Sequence, residues 1–117
     1  MGVEGYFRGG FRKDDQMKVL CLGRQGNSRS VALAYLLKGK GHDAIAVGMR
    51  RMGRDTRKML LDWAELVILL HQKCQEGISQ DYWHKLKIWP VGRDIYFQEP
   101  NKALIELLEI HMKREKL

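Results

Sequence analysis

Apolar positions along the chain switch repeatedly between short continuous runs and helix-spaced stripes. Residues 17–22 form a run of strand length broken by one lysine. From residue 28 to 38 the apolar positions go nearly all round a helix, as in a well-buried one. Val31, Ala34 and Tyr35 share one face, and Leu33, Leu36 and Leu37 another. Asn27 is suited to cap that helix, and Gly39 and Gly41 to stop it. Residues 42–47 predict a second strand, and 48–53 a basic loop. Asp55 opens a second helix that carries Met59, Leu60 and Trp63 inward. Residues 66–70 predict a third strand, 71–77 a loop or short helical turn, and 81–85 a short helix with Tyr82 and Trp83. A fourth strand at 86–89 and a loop at 90–98 follow. The last helix starts at Pro100 or Asn101 and runs to about residue 114, with Ala103, Leu104, Leu107, Leu108 and His111 as its inner stripe. Trp83 and Trp89 read as core.

Strands alternating with helices predict an α/β fold, a parallel sheet with helices on both faces. Ligands of such sheets bind beyond the C-terminal strand ends, where the strand order reverses. The 117 residues suit one domain, placed at 17–117, behind a Gly-rich leader at 1–16 with Tyr6, Phe7 and Phe11 among charges.

The chemistry concentrates at the first strand–helix junction. Gly23, Arg24, Gln25, Gly26 and Asn27 make a tight turn, and Ser28, Arg29 and Ser30 begin the helix. First-turn amides of a helix have no acceptor within it, and the helix dipole adds positive charge, so such a turn suits an anion. Arg29 is placed to clamp a phosphate through two nitrogens.

The spacing Gly23-x-x-Gly26-x-x-Arg29-Ser30 resembles the Cys-x-x-Gly-x-x-Arg-Ser/Thr loop of cysteine-dependent phosphatases. With its flanks it resembles the low-molecular-weight protein tyrosine phosphatase family in particular. Trp63-Ala64-Glu65-Leu66-Val67-Ile68 is similar to that family's Trp-Ala-Asp-Leu-Ile-Ile run, and Val91-Gly92-Arg93-Asp94 with Glu99-Pro100 to its acid loop. The resemblance spans nearly all of residues 17–112. It implies a three-layer α/β/α sandwich with a four-stranded parallel sheet in the order 2-1-3-4. It also implies Arg29 as phosphate clamp, Ser30 as partner of a thiolate, and Asp94 as general acid. The nucleophile position holds Gly23 instead of cysteine. Cys21 lies two residues earlier in the strand and reads as a small buried hydrophobe. Cys74, just past the third strand, reads as structural although near the site, and Tyr96 is a candidate wall of the cleft.

Charge sharpens the choice of partner. The net charge is +7, and residues 38–58 carry seven basic side chains against two acidic ones, a local balance of +5. Such a rim implies an anionic partner. Arg50, Arg51 and Arg54 follow the second strand and are candidates for a second anion contact, which would favour ligands with more than one phosphate. No aromatic-interleaved basic stretch marks nucleic acid, which the charge alone leaves open. No apolar run suits a membrane span, no signal peptide is visible, and two cysteines make no disulfide framework. A cytoplasmic setting is therefore expected. The His and Cys positions show no metal-ligand spacing, so neither a metal nor another cofactor is expected. Three functions fit: a non-catalytic binder of phosphate or phosphorylated ligands, a phosphatase seen as a nucleophile-deleted variant, and a nucleotide-sequestering or interaction module.

Overall fold

A computed structural model describes residues 16–24, 28–89 and 102–117. Its strands are β1 (Lys18–Gly23), β2 (Asp43–Gly48), β3 (Leu66–Leu69) and β4 (Leu86–Ile88). Its α-helices are α1 (Ser28–Gly39), α2 (Arg54–Trp63) and α3 (Lys102–Arg114). Short 3-10 segments follow β2 at Met49–Arg51 and β3 at Gln72–Gly77, and a third, Gln80–Lys85, leads into β4.

The strands form one all-parallel sheet in the order β2-β1-β3-β4. Leu20 sits at its centre, opposite Ile45 of β2 and Val67 of β3. β1 is apolar without alternation because both of its faces are covered. Val19 and Cys21 enter one core with Leu33 and Leu37 of α1 and Leu104 and Leu108 of α3. Leu20 and Leu22 enter the other with Leu61 of α2, Met49, Met52 and Ile78. Trp89 closes the first core, stacked on His111 with ring centroids 5.2 Å apart.

The helix faces differ in detail from the pattern. Val31 and Tyr35 are 55% and 76% exposed, so α1 is not buried all round. The sheet and α3 cover Ala32, Leu33, Ala34 and Leu37, with Leu36 partly buried against them. Met59 is 67% exposed, and the buried residue of α2 is Leu61. The face that meets the sheet follows the helical spacing Arg57, Leu60, Leu61, Ala64, which leaves Met59 outside and Trp63 at the margin. Ala103 is exposed, and Met112 joins the core in its place. Trp83 is 40% exposed as well, with its indole N–H donating to the Ile78 carbonyl at 3.0 Å. The stretch 48–53, read as a basic loop, buries Met49 and Met52. The leader apart from Gln16, the loop at 90–98 and the start of the last helix at Pro100 or Asn101 lie outside the described residues. Among the described residues, no helix is long and apolar enough to cross a membrane.

Candidate functional site

Three chain segments leave the C-terminal edge of the sheet side by side. β1 ends at Gly23, opposite Gly48 at the end of β2. The carbonyl of the next residue, Arg24, accepts from the Arg50 amide at 2.9 Å, which ties the segment after β1 to the segment after β2. On the other side, the Leu70 amide donates to the Leu22 carbonyl at 3.0 Å and holds the exit of β3 against β1. The reversal of strand order falls between β1 and β3, so this edge is where a parallel sheet offers a ligand crevice.

α1 starts at Ser28, and Arg29 one residue later is 1% exposed. Ser30 beside it is fully buried. A guanidinium keeps its charge in the interior and so has to be met by acceptors there. Its position in the first turn puts that charge where the helix dipole also favours an anion. Gln25, Gly26 and Asn27 lie outside the described residues, as do Asp94 and Tyr96.

The two thiols occupy different places. Cys21 points into the core shared with α1 and α3, and burial pushes its thiol up to about 12, with only a small opposing pull from Lys38. It is a packing residue on the face away from α2. Cys74 lies in the turn after β3, and burial raises its thiol too. The Arg24 and Arg29 guanidinium groups and a backbone hydrogen bond at His71 pull it back. The field of both arginines therefore converges on Cys74.

Next to Arg24 opens a cleft of about 530 Å³. Arg24, Arg50, Arg57 and Lys73 line it against a single acid, Glu76. Met49, Met52 and Cys74 form its apolar part. Arg57 Nη1 donates to the Gly77 carbonyl at 2.8 Å. A Cβ at Gly77 would lie 2.8 Å from the terminal methyl of Met49, which would have to swing aside.

Of the candidate second anion contacts, Arg50 lines the cleft, whereas Arg51 and Arg54 are exposed and do not. Arg57 and Lys73 line it without having been singled out in the sequence. Arg57 falls on the inward face of α2 ahead of Leu60, Leu61 and Ala64, a phase that the consecutive Met59, Leu60 and Leu61 leave open in the sequence. Lys73 carried no signal, since only the packing of the turn after β3 brings it there. Among the described residues, no group of three His, Cys, Asp or Glu could hold a metal ion. Comparison with protein-family models, curated proteins and solved structures returns no match for this chain.

Proposed function

We propose that the chain binds a phosphate-type oxyanion at residues 23–30 and does so without hydrolysing it. The observation that carries this reading is the buried Arg29 guanidinium in the first turn of α1, at the C-terminal end of the central strand. In this reading the first-turn amides cradle the equatorial oxygens, Arg29 fixes two of them, and Arg24 adds charge at the mouth. The resemblance to low-molecular-weight phosphatases, in loop spacing and in sheet order, is the ground for choosing phosphate over other anions.

The binding reading is favoured over catalysis by the thiols. Covalent phosphatase chemistry needs a thiolate at the floor of the loop. Gly23 offers none, and burial keeps both Cys21 and Cys74 protonated at neutral pH. Asp94 keeps its role as acid candidate only for a chain with cysteine at position 23.

Titration calorimetry with phosphate and tungstate, against nitrate at the same ionic strength, tests this function. The wild-type chain is expected to bind the tetrahedral dianions saturably and nitrate hardly at all. Arg29→Lys, which keeps the charge but loses the fork, should weaken binding by about 1.5–3 kcal/mol. Equal affinity in a folded Arg29→Lys protein would refute the assignment.

A further inference from the structure

We propose that the cleft beside the loop seats a second phosphate, so that the preferred ligand is a small molecule carrying two phosphate groups. The proposal rests on the reading of residues 23–30 as the first anion seat.

Four cationic side chains around one acid, in an open cleft, concentrate positive charge at one place on the surface. The space, about 530 Å³, is in the size range of small-molecule sites. It has room for more than one inorganic phosphate, and so for a ligand with a body as well as a charge. Met49 and Met52 offer that body an adaptable apolar wall.

Arg57 supplies the most specific feature. Its Nη1 is anchored on the Gly77 carbonyl, which fixes the guanidinium in place. A guanidinium held on the wall of a cleft of cations is suited to an anionic oxygen.

The two seats are joined. Arg24 directly follows Gly23 and also lines the cleft. The hydrogen bond from the Arg50 amide to the Arg24 carbonyl fixes the spacing of the two segments. Cys74, on the cleft wall, feels the charge of Arg29 as well as that of Arg24. The proposed ligand places one phosphate in the loop of residues 23–30 and a second among Arg50, Arg57 and Lys73.

The test compares inorganic phosphate and AMP with pyrophosphate, ADP and adenosine 3′,5′-bisphosphate by calorimetry at one fixed ionic strength. At least one two-phosphate probe should bind about tenfold or more tightly than phosphate and AMP. The double variant Arg50→Gln/Lys73→Gln changes exposed side chains, and thermal unfolding checks its fold. It should erase that gain and leave phosphate affinity within about twofold. If phosphate binds but no two-phosphate probe gains, or if the gain survives the double variant, the second seat is wrong and the loop reading stands. If phosphate fails to bind and a two-phosphate probe binds regardless of Arg29→Lys, the loop reading falls and the two-seat ligand with it.

Discussion

At the scale of single residues, Cys21 and Cys74 show how position decides chemistry. Cys21 sits in the central strand with both sheet neighbours in place, and no water reaches it. Its thiol, raised from an ordinary 9.0 to about 12, titrates later in the folded chain than in the unfolded one. The protonated thiol thus contributes stability that is complete below about 9 and erodes as pH rises toward about 12. The stability advantage of the wild-type chain over Cys21→Ala should shrink across that alkaline window, as denaturant titrations at stepped pH would show. A gap that stays constant would place Cys21 in a wetter setting. A local apolar run was enough to read Cys21 as a buried hydrophobe. The loop spacing marked Arg29 as a candidate clamp but not its burial, because its charge suggests a surface residue.

At the scale of elements, α2 illustrates what a linear pattern leaves open. Met59, Leu60 and Leu61 are consecutive, so hydrophobicity gives a helix but not its phase. Contacts from distant residues set the phase. Lys85 Nζ donates to the carbonyls of Leu61 and Ala64 at 2.8 Å each, and caps the C-terminal end of α2 from a distant turn. The Tyr82 hydroxyl donates to Asp62 at 2.6 Å and holds the same end. Leu61→Ala should cost about 2–5 kcal/mol, and Met59→Ala no more than about 0.5 kcal/mol. Urea titration of the two variants measures both, and comparable losses would contradict the orientation of α2. The order of strands and helices was readable because each strand is a short apolar run bounded by polar or glycine-rich turns. The exposed faces of α1 were not, since what covers a helix depends on residues far along the chain.

At the scale of the whole molecule, the strand order 2-1-3-4 gathers the exits of β1, β2 and β3 at one edge. Gly23 and Arg24, at the end of β1, could be assigned to that edge from their place after the first predicted strand. The cleft could not, because Arg24, Arg50, Arg57 and Lys73 are dispersed in sequence and meet only when three segments pack. The net charge of +7 complicates any binding measurement, since a basic protein attracts anions everywhere. Affinity alone therefore cannot separate a site from a field. The most direct test is a phosphate titration of the ¹⁵N-labelled chain followed by amide and guanidinium NMR shifts at constant ionic strength. Saturable shifts are expected, largest at the amides of Arg24, Arg29 and Ser30 and at the Arg29 Nε–H, with the remote lysines of α3 unmoved. Shifts that grow linearly with phosphate and spread over the basic surface, leaving Arg29 and Ser30 unperturbed, would contradict binding at residues 23–30.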